Sequence, residues 1–408
     1  DAKPYFQTSG PKPLFIQNQF GATLGGRILK DRTFFFGSWQ SSREVNAAPQ
    51  VGSVPTAAMR QGIFPGRVND PNNNKTPYPN NTIPPSQWDP VSAKLIPLYP
   101  LENQLLAGNA PGVRNFTYNP KERLQGDSYN VRVDHRIGSR DSMFGRISQG
   151  WNDNRLPTTL PEPANQAGVT KLKARQMMLS ETHTVSPNKV NEVRVGFVYT
   201  AEDQDVLAER LFAQYGIKGT VEEPRIKGLP QFSPTGFTAL GTAGPGAAPI
   251  AATGSGNFPL EKTGKVWQLT DNFSWVLRRH TIKTGIDLSR VTMYAYATNS
   301  ARPNFNFNGT YTASGLGDFM LGFINTTAIS QQQLATLRQN IYNGYVQDDW
   351  KVTTKLTLNL GLRYELPKPF FEQRDKMSNF VLESGPCHYQ VILVADASRC
   401  GVGRSLTG

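Results

Sequence analysis

The side chains best suited to chemistry in this 408-residue chain are four histidines and two cysteines, and their placement speaks against a reaction centre. His135, His183, His280 and His388 are scattered, and no H-E-x-x-H motif sets two imidazoles on one helical face. His135, His183 and His280 each fall beside a short predicted turn, which suits a structural role at an interface better than metal ligation. Cys387 and Cys400 could close one small disulfide loop in an oxidising compartment, or stay as two thiols in an irregular tail. Carboxylate pairs such as Asp348-Asp349 are plentiful, but none sits in a predicted pocket. Neither a phosphate-cradling G-x-x-x-x-G-K-[ST] nor a G-x-S-x-G nucleophile elbow is present. The stretch GLGDFMLG, residues 315–322, misses the dinucleotide-binding spacing and reads as a loop-to-strand transition. Asn115-Phe116-Thr117 fits a glycosylation acceptor only as any Asn-rich loop does. The expectation is a protein that is not an enzyme, with no catalytic, cofactor-binding or metal residue and no cofactor.

Composition narrows what could position any site. Thirty-seven Gly and 30 Pro make the chain rich in turn formers, and 38% hydrophobic residues with a mean hydropathy of −0.44 leave no apolar run long enough for a membrane helix. A transmembrane β-barrel stays open, because its strands present lipid only at every second residue. The net charge of +12 comes from scattered cations, with no basic run longer than Arg278-Arg279-His280, so nucleic-acid binding is not expected. Anionic lipid head groups fit such a charge as well. No signal peptide is visible at Asp1.

Along the chain, tight turns alternate with long loops. Gln19–Gly25 and Thr33–Ser41 read as strands around a turn at Gly26–Arg32. A Pro/Asn/Gly-rich region follows from about residue 46 to 126. Strands then flank turns at Gly138–Asp141, Ser186–Asn188 and Leu277–His280, separated by loops at about 152–172 and 201–263. After a loop of about forty residues comes the fifth hairpin, YVQDDWKVTTKLTLNLGLRYE, residues 345–365, turning at Thr353–Lys355. Sorting of short and long connections to opposite ends is the signature of a transmembrane barrel with periplasmic turns and extracellular loops.

The fifth hairpin shows the two faces. Leu356, Leu358, Leu360, Leu362 and Tyr364 share one parity; Thr357, Asn359, Gly361 and Arg363 share the other. Trp267 and Trp275 also share a parity, and their spacing puts them roughly 19 Å apart along the membrane normal, near the two interfacial belts. Trp39, Trp151, Tyr199, Tyr294 and Trp350 are expected near other strand ends. The polar parity, with Arg132, Asp134 and Arg136 or Thr357, Asn359 and Arg363, would line a lumen. Asp271, on the parity of Trp267 and Trp275, faces lipid unless a bulge intervenes, and one carboxylate of Asp348-Asp349 must point outward too.

The stretches NQFGATLGGRILKDRTFFFGSWQ, GKVWQLTDNFSWVLRRHTIKTGIDL and YVQDDWKVTTKLTLNLGLRYE together resemble the β-barrel of TonB-dependent outer-membrane receptors, in particular the Oar-like subgroup, over about residues 11–385. The resemblance implies an all-β fold: a partial antiparallel transmembrane β-barrel of about ten strands, where the family uses 22. Residues 1–408 would form a single partial barrel domain, with five hairpins over 11–366 and a further loop starting at 367–408. The family's plug and its leading carboxypeptidase-regulatory-like domain are absent from the sequence. The implied function is ligand binding and active uptake across the bacterial outer membrane. Implied partners are outer-membrane lipid and lipopolysaccharide, a TonB complex engaged through N-terminal regions, and a carbohydrate or other nutrient as substrate. A structural or adhesive outer-membrane barrel and a soluble secreted all-β glycan-binding protein or hydrolase are the rival readings.

Overall fold

Period-two alternation of apolar and polar side chains builds the dominant element, a sheet of long antiparallel strands. The computed structural model describes residues 14–47, 49–104, 110–209, 211–219, 223–242, 259–297, 300–330, 333–374, 377–381 and 390–394. Ten strands form its wall: β1 Phe15–Leu29, β2 Thr33–Ala47, β3 Lys121–Arg136, β4 Asp141–Leu156, β5 Gly168–Ser186, β6 Lys189–Val206, β7 Leu260–Leu277, β8 His280–Ala297, β9 Gln333–Lys351 and β10 Thr357–Pro367. Each pairs antiparallel with its neighbour in chain order, and the short strand Phe371–Glu372 adds to β9. Among the described residues, β1 and β10 have no partner on their far side, so the sheet is open. Among the described residues no helix is long and apolar enough to cross a membrane, which says nothing of crossing by strands.

All five hairpins expected from the sequence form, with shifted boundaries. The first turn is only Lys30–Arg32; Gly26, Arg27, Ile28 and Leu29 belong to β1, because pairing with Phe34 and Phe35 extends the ladder past the two glycines. Arg278-Arg279 joins β7 to β8, and Arg278 takes a positive φ of 53°, the backbone that two-residue hairpins require. Most strands exceed the 9–11 residues needed to cross hydrocarbon, so they continue beyond the apolar band. For the same reason Trp39 lies mid-strand, in edge contact with Phe20 at 5.6 Å, rather than near an end.

One face of the wall is apolar. A single cross-strand row carries Val133, Gly145, Leu179, Val195, Leu269, Leu288 and Tyr342. Next to it runs Val131, Ile147, Met177, Phe197 and Trp267, with Trp267 55% exposed. Asp271 lies on this face without any bulge, opposite Val193 and Ile286, and its carboxylate accepts a hydrogen bond from Asn191 Nδ2 at 2.5 Å. Asp348, also on this face, meets His280 Nδ1 at 2.6 Å, while Asp349 turns to the other face toward Lys283 at 3.7 Å. Near the other turns, His135 Nδ1 pairs with Thr33 Oγ1 at 2.8 Å and His183 with Asp141. Each of the three histidines thus has a polar side-chain partner beside a tight turn. Lys189 Nζ covers the Trp275 ring at 4.8 Å near the turn end of the same face.

The long connections are not irregular. Segments 49–104, 110–120, 157–167, 207–209, 211–219, 223–242 and 300–330, all from the end opposite the tight turns, fold together into a cap. Its core includes Val54, Met59, Ile83, Leu95, Tyr99, Phe116, Leu160, Leu229, Phe232, Leu240, Phe307 and Phe319. GLGDFMLG, expected as a loop-to-strand transition, is instead the helix Gly315–Leu321. Ser314 caps its N-terminus by accepting the Gly317 N–H, and Gly322 closes it at φ 75°, where a Cβ is disfavoured. Gln231–Pro234 pairs in parallel with Asn304–Phe307, tying two of the long connections into one small sheet.

Polar braces complete the cap. Asn115 accepts the Val54 N–H at 2.9 Å and donates to the Val54 carbonyl at 3.0 Å, so the residue of the glycosylation-like motif is a buried clamp. Arg302 is fully buried and donates to the carbonyls of Leu229 and Gly241 at 3.2 and 3.0 Å. Burial lowers its pKa to about 10, which still leaves it charged at neutral pH. Burial likewise pushes the Tyr99 phenol up, and its hydroxyl donates to the Thr238 carbonyl at 2.9 Å. Beyond β10, Met377–Val381 and Gln390–Val394 form a two-stranded ladder, where the sequence suggests a loop. Cys387, His388 and Cys400 lie outside the described residues.

Candidate functional site

On the polar face of the wall, at the end toward the cap, lies a hollow of about 760 Å³ lined by residues of the wall strands. Two adjacent cross-strand rows make its floor. The first is Gln40, Ser128, Gly150, Ala174, Thr200, Gly264 and Met293; the second is Ser42, Gly126, Asn152, Leu172, Glu202, Lys262 and Ala295. In the first row, small side chains on five successive strands, from Ser128 to Gly264, leave the space open. At Gly126 an added Cβ would stand 2.0 Å from Asn152 Oδ1 and 2.9 Å from the Trp151 carbonyl oxygen, so this position needs glycine; at Gly264 it would stand 2.8 Å from Thr200 Oγ1, which would have to shift. Glu202 and Lys262 face each other across β6 and β7, giving the hollow one anionic and one cationic group.

Toward the turns, the same face carries the residues expected to line a lumen. Arg132 donates to Asp134 through Nε at 2.8 Å and Nη2 at 2.6 Å, and its guanidinium lies 3.8 Å from the Phe144 ring centroid. Arg146 donates to Gln176 at 2.9 Å. Arg363, on β10, stands 3.7 Å from Glu365 and 5.7 Å from the Tyr345 ring. Arg132, Asp134 and Arg136 on β3 are thus separated from Thr357, Asn359 and Arg363 on β10: one face, two distant parts of it. The small residues of the hollow do not stand out in the sequence, since each is an ordinary Gly, Ala, Ser or Thr until the register aligns them.

One cluster has metal-ligand character: Asp141, Glu181 and His183, whose ligand atoms all lie within 4.8 Å of one another. It sits on the apolar face near the tight turns, away from the hollow, with the His183 ring against the Asp141 carboxylate.

The hollow yields a direct prediction. A Cβ added at Gly150 would meet no atom closer than 3.6 Å, so Gly150→Trp would project into the cavity without displacing backbone. Its effect on stability is expected to stay within about 0.5 kcal/mol, as for other substitutions away from packed features. Solute passage through the full-length protein should fall sharply, measured as flux in liposomes or as uptake by cells.

Comparison with known proteins agrees with this architecture. The chain matches the family described as outer membrane beta barrel domain over residues 1–407. It is similar to the "TonB-dependent transporter Oar" of Myxococcus xanthus, 22% identical over 417 residues, covering 88% of this chain and 34% of that protein. Among solved structures it is similar to the outer membrane transporter YddB of Escherichia coli, with 9% identity and a TM-score of 0.45, covering 86% of this chain and 34% of that one. It is also similar to a mutant of the ferric enterobactin receptor of Pseudomonas aeruginosa, with 9% identity and a TM-score of 0.34, covering 86% and 39%. The chain spans about one third of the length of these relatives.

Proposed function

The chain belongs to the outer membrane beta barrel domain family, and from that premise we propose that it supplies barrel wall and cap to a TonB-dependent transporter of the bacterial outer membrane. The apolar face meets lipid, the tight turns lie at the periplasmic end and the cap faces outward. A polar nutrient, with carbohydrate among the fitting classes, enters beneath the cap into the hollow and moves along the polar face. Energy comes through a TonB complex, as the name of the Myxococcus relative suggests. The observation that supports this reading is the hollow itself: five successive strands place small residues in register on the polar face. A wall that only displayed adhesive loops would have no use for that internal space.

The test compares three strains: parent, one lacking the full-length protein, and one lacking TonB. Uptake predicts that the same solute fails to be depleted from a complex medium in both deletion strains. Equal depletion by all three strains, with surface attachment lost only in the first deletion, would replace transport with adhesion.

A further inference from the structure

The turn end of the apolar face carries the acids Asp141, Glu181, Asp271 and Asp348, and all but one have a partner. Asp271 accepts from Asn191 Nδ2 at 2.5 Å, Asp348 meets His280 Nδ1 at 2.6 Å, and Asp141 contacts His183. Glu181 is the exception. It is exposed, and no ion pair or hydrogen bond of its carboxylate is found among the described residues. Other bases at this end are already engaged, His135 by Thr33 and Lys189 by the Trp275 ring. What stands beside Glu181 is the Asp141–His183 pair. His183 is the register partner of Asp141, and Glu181, two residues earlier on β5, projects from the same face. The ligand atoms of all three lie within 4.8 Å of one another.

Two carboxylates this close repel, and one imidazolium balances only one of them. Depth sharpens the conflict. The Glu181 row runs through Val193 to Asp271, which lies inside the Trp275 row along β7. At ~3.3 Å per residue and a tilt of about 45°, that places it roughly 9 Å from the aromatic belt toward the middle of the band. A divalent cation removes the repulsion: with two carboxylates and a neutral imidazole, the charges sum to zero. The donor set selects the class of ion. One nitrogen and two oxygens suit zinc or a similar transition metal, with water in the fourth position, whereas calcium and magnesium favour all-oxygen shells. Ligand atoms around a tetrahedral zinc stand about 3.4 Å apart, so side-chain rotation alone closes the three onto it. The ion then replaces the proton shared by His183 and Asp141.

We propose that Asp141, Glu181 and His183 form a zinc-class metal site that ties β4 to β5. These two strands are joined along the chain through residues 157–167, at the cap end. At the turn end the ion links the β3–β4 hairpin to the β5–β6 hairpin, adding to the bond from the Thr184 N–H to the Arg140 carbonyl at 2.8 Å. The site rests on the lipid-facing reading of this face but not on uptake, and insertion of the full-length protein into liposomes tests that reading separately. The experiment is equilibrium dialysis of the full-length protein, in detergent and stripped of metal, against zinc chloride, with bound zinc counted by elemental analysis. Wild type should hold one more zinc per chain than Glu181→Gln or His183→Gln, with affinity at that site at least about tenfold weaker in either variant. Zinc should also slow hydrogen exchange at 141–143 and 181–184 in the wild type and not in the variants. Glu181→Gln is decisive because it leaves the His183–Asp141 contact in place, and a pair with no metal would be indifferent to it. His280→Gln removes the comparable contact to Asp348, where no third ligand stands close among the described residues, and should keep the full zinc count. An unchanged heat-modifiable gel shift in each variant shows that the wall has folded. Equal zinc in wild type and Glu181→Gln, an equal loss in His280→Gln, or displacement of the zinc by an equal concentration of magnesium would each overturn the assignment.

Discussion

Phe319→Ala is expected to unfold the cap while leaving the ten-stranded wall paired. Phe319 is completely buried in the helix Gly315–Leu321, with ring centroids 5.9 Å from Phe232 and 5.2 Å from Phe307, so it joins residues from two long connections. The same helix is fixed by Asp318, which accepts hydrogen bonds from the N–H and hydroxyl of Thr312 at 2.8 and 2.7 Å. Removing a buried Phe ring typically costs about 3–5 kcal/mol through lost transfer energy and the cavity left behind. A cap assembled from several short segments has little reserve against such a loss. Hydrogen exchange on the full-length protein should show protection lost across 49–120, 211–242 and 300–330 together, with the wall strands still protected. Loss confined to the helix would mean that the connections fold independently of one another.

The second large effect separates the two faces of one strand. Leu269 lies in the row that is apolar from Val133 to Tyr342, the middle of the band read as lipid-facing; its neighbour Gln268 points to the polar face and donates to Asp287 at 2.5 Å. Leu269→Arg is expected to cost about 2–4 kcal/mol, the range for a cation near the bilayer midplane. Gln268→Arg keeps a carboxylate within reach in a wet lumen and should cost little. Arg would also be costly in a protein core, so Leu269→Trp discriminates: fluid lipid accommodates the ring, whereas overpacking a close-packed core costs about 1–3 kcal/mol. Reversible unfolding of the full-length protein in bilayers gives all three values. Two severe results at position 269 would return the leucine row to a protein core.

The wall is largely legible in the sequence because period-two alternation is a local signal. Leu356 to Tyr364 announces its two faces without any partner strand, and parity alone assigns Asp271 to the outer face, where the structure has it. Turn positions are less legible: two glycines suggest a break at Gly26, yet cross-strand pairing to Phe35 overrides that weak preference. The helix Gly315–Leu321 is hidden because glycines at 315 and 317 lower helix propensity, and packing on every side, not amphipathicity, stabilises it. Its caps, Ser314 and Gly322, are the available signal. The cap core draws on Val54, Phe116, Leu229 and Phe319, which follow no period and meet only in three dimensions. The hollow is hidden for a related reason. Gly150, Ala174 and Thr200 become neighbours only once the strands are set in register.

The orientation of wall and cap across the outer membrane is tested most directly by cysteine labelling on intact cells. Asn73 lies exposed in the cap and Ser139 in the tight turn between β3 and β4. In the full-length protein, Asn73→Cys should react with a membrane-impermeant maleimide on intact cells, while Ser139→Cys should react only after the outer membrane is permeabilised. Equal labelling of both positions on intact cells, or labelling of Ser139→Cys alone, would contradict a barrel wall with its turns in the periplasm and its cap outside.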